Sequence, residues 1–246
     1  MKTHFHIHFK TVWGHIVQLL CYKHNSANSE FTAFDMSCDD KGNWVYSAPE
    51  DLMQEFTAYH YAIKKSDGSL QKETGLLRST AMLDSSKTNR IYDYWRGPYG
   101  DTPFNSTAFT DIFFKRQPVD ETTQDGNFML RLHCSQVESS RHFAVTGNQE
   151  VLGNWDVSKR VKLTESNFPD WSISLRTSDI VFPLEYKFLL VDTETDEVVA
   201  WGGGTNRILE YADVSECTIL NNEHFVRTIN SWKGAGVAIP VFSLRS

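Results

Sequence analysis

The chain has 246 residues, 40% hydrophobic and 22% charged, and carries a net charge of −7. That composition belongs to a chain that folds, and the length suits one large domain or two ordinary ones. The acidic balance lacks the clustered Lys and Arg that hold phosphate backbones or anionic lipid, so neither nucleic acid nor membrane is expected as a partner.

Taken in chain order, Phe5, Ile7 and Phe9 alternate with His4, His6 and His8, the period-2 pattern of a strand with one buried face. The three His share the other face without a Cys or carboxylate beside them, and no metal site is expected. Further strands are predicted from Ile16 to Tyr22, Trp44 to Ala48 and Phe56 to Ile63, with a turn at Asp67-Gly68. Arg96-Gly-Pro-Tyr-Gly-Asp-Thr-Pro103 reads as a joint, running on through the apolar Phe109 to Phe114 stretch to Asp125-Gly126. Beyond it, strands are predicted from Phe128 to Cys134, His142 to Thr146, Trp171 to Leu175, Leu184 to Val191 and Glu197 to Trp201, followed by a break at Gly202-Gly203-Gly204. No amphipathic helix appears, so the expected class is all-β, as antiparallel sandwiches. Cys21, Cys38, Cys134 and Cys217 form no CxxC pair and are expected as free thiols. The polar alternation at the N-terminus is unlike a secretory leader, and no apolar run reaches spanning length, so the expected compartment is the cytoplasm.

The chain also repeats itself. Gly42-Asn-Trp44, then Tyr59-His-Tyr61-Ala62, echoes Pro169-Asp-Trp171, then Glu185-Tyr186-Lys187-Phe188. Setting Tyr61 against Tyr186 makes the Trp-to-Tyr spacings differ by two residues and puts Ala62 at the place of Lys187. The resulting division is a first module over 1–95, a linker over 96–126, a second module over 127–230 and a further segment over 231–246.

Aromatic residues make up 13% of the chain, with seven Trp, and aromatic faces suit flat, weakly polar ligands such as sugar rings. The second copy concentrates the informative residues: Leu152-Gly153-Asn154-Trp155-Asp156, Trp171, Tyr186-Lys187, then Trp201-Gly-Gly-Gly-Thr-Asn206-Arg207. In order and spacing this set resembles carbohydrate-binding module family 20, the starch-binding domains. The resemblance implies two tandem immunoglobulin-like β-sandwiches. It also implies one α-glucan site, made by Trp155, Lys187, Trp201 and Asn206. Two indole faces would take the C–H faces of adjacent glucose units, while the ammonium and amide bond the hydroxyl edges. If each face removes roughly 100 Å² from water at about 25 cal/mol per Å², the two give on the order of 5 kcal/mol before association costs. Trp171 and Trp44 match a family tryptophan of a separate sugar site, and Tyr61 and Trp13 are further candidate contacts in the first copy. Core or edge packing is the favoured reading of Trp171 and Trp44, and a structural role that of Tyr61 and Trp13. The first copy lacks the Leu-Gly-x-Trp turn, and no Trp precedes Glu73-Thr-Gly75.

Other chemistry does not assemble. Asp192-Thr-Glu-Thr-Asp196 lacks the Gly and final Glu of a calcium loop, and Gly202 to Gly204 lacks the Lys-Ser/Thr of a phosphate loop. No nucleophile elbow and no glycosidase pair of carboxylates is seen, so neither catalytic residues nor a cofactor are expected. The stretch from Ser231 to Ser246 is similar to the entry into the catalytic barrel of glycoside hydrolase family 77, the 4-α-glucanotransferases, and 94–114 looks like the linker of that family's members with paired starch-binding modules. The expected function is therefore binding of starch, glycogen or malto-oligosaccharide ahead of that barrel. The alternative is a structural or homodimerisation role for the first copy.

Overall fold

The structure is a computed structural model, described over residues 2–25, 30–75, 77–97, 126–134 and 137–222. The predicted apolar run at 109–114 and the segment 231–246 lie outside the described residues. The fold is all-β. Among the described residues, nine strands precede the joint: β1 (Thr3–His8), β2 (Ile16–Tyr22), β3 (Phe31–Asp35), β4 (Ser37–Cys38), β5 (Asn43–Ala48), β6 (Ala58–Lys64), β7 (Leu70–Lys72), β8 (Arg78–Ser79) and β9 (Asn89–Tyr94). Nine follow it: β10 (Phe128–His133), β11 (Arg141–Gly147), β12 (Val161–Lys162), β13 (Thr164–Asn167), β14 (Asp170–Leu175), β15 (Leu184–Asp192), β16 (Val198–Trp201), β17 (Arg207–Leu209) and β18 (Cys217–Asn222). The described helical pieces are short 3₁₀ turns, such as Leu52–Glu55.

The pairing of the first nine strands recurs in the second nine. β1 runs antiparallel to β5 and parallel to β9, as β10 does to β14 and β18. β6 lies between β2 on one side and β7 and β8 on the other, as β15 lies between β11 and the pair β16 and β17. The indoles repeat as well. Trp44 Nε1 donates to the Phe9 carbonyl at 2.9 Å and Trp171 Nε1 to the Cys134 carbonyl at 3.0 Å, each just past the end of its module's first strand.

This pairing corrects the alignment read from sequence. Tyr59 stands across from Arg78 as Tyr186 stands across from Arg207. The Arg78 guanidinium lies 5.1 Å from the Tyr61 ring centre and that of Arg207 lies 5.3 Å from Phe188. Tyr59 therefore corresponds to Tyr186, His60 to Lys187 and Tyr61 to Phe188. By the same register Lys72, opposite Ala62, takes the place of Trp201, opposite Leu189. With Tyr59 as the partner, the Trp-to-Tyr spacing is identical in the two copies.

The halves are not beads on a string. β18 pairs in parallel with β9, fusing both into one eight-stranded sheet, β13-β14-β10-β18-β9-β1-β5-β4. Each remaining five-stranded sheet covers one half of it, and the two lie on opposite faces. Residues alternate across a strand, and Ile7, Ile91 and Ile219 share one face and one core with Leu19, Tyr59 and Tyr61 of the first half. Leu130, Leu132 and Trp171 turn the other way, to a core with Phe143, Tyr186 and Phe188. Cys217 and Ile219, from the last described strand, are thus buried in the first half's core. The expected antiparallel sandwiches are present, joined through parallel strands that the sequence pattern did not signal.

Buried polar groups tie this seam. Asp93 Oδ2 accepts from the Tyr59 and Tyr61 hydroxyls at 2.9 and 2.8 Å, and Asp93 Oδ1 accepts from Asn221 Nδ2 at 2.8 Å across the junction. Arg78, 2% exposed at its side chain, lies 3.3 Å from Asp93 and forks onto Glu73, whose Oε1 also takes the Tyr61 N–H at 2.9 Å. Burial works against the Glu73 charge, but Arg78 and then His60 outweigh it and hold the carboxyl below its ordinary range. In the second half Tyr186 donates to Asn222 Oδ1 at 2.9 Å, the counterpart of the Tyr59–Asp93 bond.

Candidate carbohydrate site

The outer face of β15 organises the site. Tyr186, Phe188 and Leu190 point into the core, which leaves Glu185, Lys187, Leu189 and Val191 on the opposite side. Leu189 and Val191 join Ala144 in a small outer cluster, and half-buried Trp201 packs against it from the position opposite Leu189. One part of the indole is anchored and the rest faces water. Lys187 Nζ donates to the Gly204 carbonyl at 2.8 Å, pulling the 202–206 turn over the strand. Asn206 Nδ2 donates to Glu185 Oε1 at 2.6 Å. Lys187, Trp201 and Asn206 are thus brought to one strip of one strand.

Trp155 comes from a different segment and reaches the same end of the sheet. Its N–H donates to the Gly147 carbonyl at 2.7 Å, and Gly147 is the cross-strand partner of Tyr186, next to Lys187. The turn that delivers it is strained: Gly153, Asn154 and Trp155 follow one another at φ 80, 52 and 62°. Gly suits that region and Asn tolerates it, but a Trp there costs on the order of 1 kcal/mol and persists only where its surroundings fix it. Two glycines allow the turn. A Cβ on Gly147 would meet the Glu185 carbonyl oxygen at 2.5 Å, and one on Gly153 would meet that of Lys159 at 2.6 Å. Asp156 closes the turn by accepting from Ser158 N at 3.0 Å, and its hydrogen bonds with Ser158 hold its carboxyl below the ordinary range.

Glu185 and Gly147 stand within the motif read from sequence, which assigns neither of them a role in the site. Glu185 fixes Asn206 and lies two residues before Lys187, on the same strand face, so the period of a strand was the signal that pointed to it.

The secondary candidates fare differently. Trp171 and Tyr61 are fully buried and Trp44 is 5% exposed, so none of the three offers a ring face to a ligand. Their polar atoms are taken internally, the indoles by carbonyls and Tyr61 by Asp93. Trp13, read as structural, is 98% exposed on the β1–β2 turn, an indole with no packing role among the described residues.

The corresponding face of the first half is closed. Leu20, Tyr22, Ala58 and Ala62 on β2 and β6 are 0% exposed. His60, in the place of Lys187, is buried, and burial lowers its pKa to about 4. Lys72, in the place of Trp201, lies 4.4 Å from the Phe31 ring centre and donates to the Tyr22 hydroxyl at 3.2 Å.

Residues 127–219 match the family described as Starch binding domain, carbohydrate-binding module family 20, and this part of the chain is a starch-binding domain of that family. Over a longer stretch the chain is similar to the 4-alpha-glucanotransferase DPE2 of Oryza sativa subsp. japonica. The two are 20% identical over an alignment of 220 residues that covers 82% of this chain and 23% of the rice protein, so the chain spans under a quarter of that relative. Among solved structures, it is similar to the family 20 module of the maltotetraose-forming amylase from Pseudomonas saccharophila STB07, with 24% identity and a TM-score of 0.31, covering 38% of this chain and 97% of that one. It is also similar to the gamma-CGTase from alkalophilic Bacillus clarkii, with 17% identity and a TM-score of 0.33, covering 80% of this chain and 22% of that one.

Proposed function

We propose that the chain is a pair of unequal modules in which the second binds α-1,4-glucan through Trp155, Lys187, Trp201 and Asn206, and the first serves as its structural partner. The observation that carries the reading is the convergence of Lys187, Trp201 and Asn206 on the outer strip of β15, with a strained turn delivering Trp155 to the same end. Two partly exposed indoles, an ammonium and an amide form a surface for a curved chain of neutral sugar rings, polar at its edges and apolar on its faces. The similarity to a 4-alpha-glucanotransferase supports a role as the glucan-holding region of such an enzyme. We read 1–95 and 127–230 as the two modules, 96–126 as the linker and 231–246 as the entry to a family 77 barrel. Cys21, Cys38, Cys134 and Cys217 form no disulfide, which supports a reducing, cytoplasmic setting.

Retention on immobilised amylose tests the binding reading. The intact chain is expected to be retarded and Trp201→Ala to run nearly unretarded, whereas an unretarded wild type refutes it. A specific observation favours a scaffold role for the first module: its outer face is closed, and its core holds Cys217 and Ile219 of the other half. Removing residues 1–95 is therefore expected to destabilise the second module. A truncated chain that unfolds at the same urea concentration as its parent would contradict that role.

A further inference from the structure

The change of faces at β9 and β18 leaves a cleft where the two halves meet. It measures about 270 Å³ and is lined by Arg90 and Tyr92 from the first half and Tyr211, Asp213, Glu216 and Thr218 from the second. Clefts that hold small ligands start at roughly 300 Å³, so this one has room for the end of a chain and not its length.

Its walls are fixed before any ligand arrives. Arg90 holds both carboxylate oxygens of Glu216, with Nη2 to Oε1 at 3.2 Å. Asn127 Nδ2 donates to the Val214 and Glu216 carbonyls at 3.0 and 2.9 Å, and Asp213 Oδ1 accepts from Ser215 N and Oγ at 2.8 and 2.6 Å. Tyr211 is 65% exposed, with its ring centre 5.9 Å from that of Phe182. Tyr92 is backed by His6, stacked at 4.7 Å. Thr218 lines the floor, with its hydroxyl enclosed by protein and out of reach of a ligand.

The chemistry of these groups selects the ligand. Two tyrosine rings give apolar faces with hydroxyl edges, and an Arg–carboxylate fork offers donors and acceptors in one plane. One guanidinium stands against two carboxylates, and the adjoining His4 and His6 are held neutral, the latter with its pKa lowered to about 4 by burial and then by Arg90. The cleft is therefore net negative and disfavours phosphorylated or carboxylated ligands. We infer that the seam is a second saccharide site, built jointly by the two halves, that takes the end of a short, neutral sugar chain.

This inference rests on the α-glucan reading, and the test separates the two. Maltotriose is titrated by NMR into the full chain, into a Trp155→Ala/Trp201→Ala variant and into that variant carrying Tyr211→Ala, each checked for an unchanged unfolding transition. The wild type should show two classes of site. The double variant should keep the weaker class, and Tyr211→Ala should weaken it at least tenfold. Glucose 1-phosphate should not compete for it. If the wild type binds maltotriose and the double variant does not, or if Tyr211→Ala leaves the remaining binding unchanged, the seam site is wrong and the β15 site stands. Equal binding of glucose 1-phosphate also overturns it. A wild type that binds no maltotriose overturns both.

Discussion

Replacing Asp93 with Ala removes the acceptor that joins the halves, and its effect can be worked out from the contacts it loses. Tyr59 and Tyr61, fully buried, would each keep an unanswered hydroxyl, and Asn221 would lose a bond to a charged acceptor at 2.8 Å. Each stranded buried donor costs about 1–3 kcal/mol, and breaking a buried ionic cluster costs about 3–5 kcal/mol in all, so a loss near 4 kcal/mol is expected. The part that belongs to the seam is isolated by a double-mutant cycle with Asn221→Ala. Because the bond goes to a carboxylate, the coupling should be about 1.5–3 kcal/mol. Urea unfolding followed by tryptophan fluorescence supplies the four stabilities. The two halves should unfold together in wild type and separate in the double variant. A coupling below about 0.3 kcal/mol would mean that Asp93 and Asn221 act independently, and the argument that the seam is energetically continuous would fail.

Two further predictions concern protonation and backbone. His60 is held near pKa 4 in the folded protein against 6.5 in an unfolded chain, so below pH 6.5 the unfolded state takes up a proton that the folded state refuses. Stability should therefore decline from pH 6.5 towards 4, by about 3 kcal/mol at most from this group, and His60→Phe should flatten that part of the profile in urea titrations. An unchanged slope would show that His60 is not the group responsible. Gly153→Ala places a Cβ 2.6 Å from the Lys159 carbonyl oxygen at φ +80°, so it should cost about 1–3 kcal/mol and weaken glucan binding by displacing Trp155. Undiminished glucan affinity in a folded Gly153→Ala chain would separate the turn from the site.

The proposed site is legible in the chain as far as it rests on local features. The Gly153-Asn154-Trp155 turn, the alternation around Tyr186 and the Gly-rich turn after Trp201 each announce themselves within a few residues. The alignment error at Tyr59 and Tyr61 has a physical origin. A one-residue slip would turn a strand inside out and be noticed, but a two-residue slip keeps every side chain on its face. Both tyrosines point inward and both donate to Asp93, so hydrophobic pattern could not choose between them. The shared sheet was invisible for a different reason. β9 and β18 pair in parallel across more than a hundred residues, and no turn or local period marks such a contact. The fate of the aromatic residues likewise depended on the other sheet: Trp171 meets Phe143 edge-on at 5.1 Å, while Trp13, on an open turn, stays 98% exposed.

The central claim is that α-glucan lies across Trp155 and Trp201, and the indole N–H signals of a ¹⁵N-labelled chain test it most directly. The chain holds seven Trp, and two of them, Trp44 and Trp171, are buried with their indole nitrogens bonded to carbonyls. On titration with β-cyclodextrin the Trp155 and Trp201 signals should shift together along one binding curve while those of Trp44 and Trp171 stay in place. Each ring should account for about 2 kcal/mol, so alanine at either position should weaken binding by on the order of 30-fold. Saturable binding that leaves the Trp155 and Trp201 signals unmoved would contradict the account.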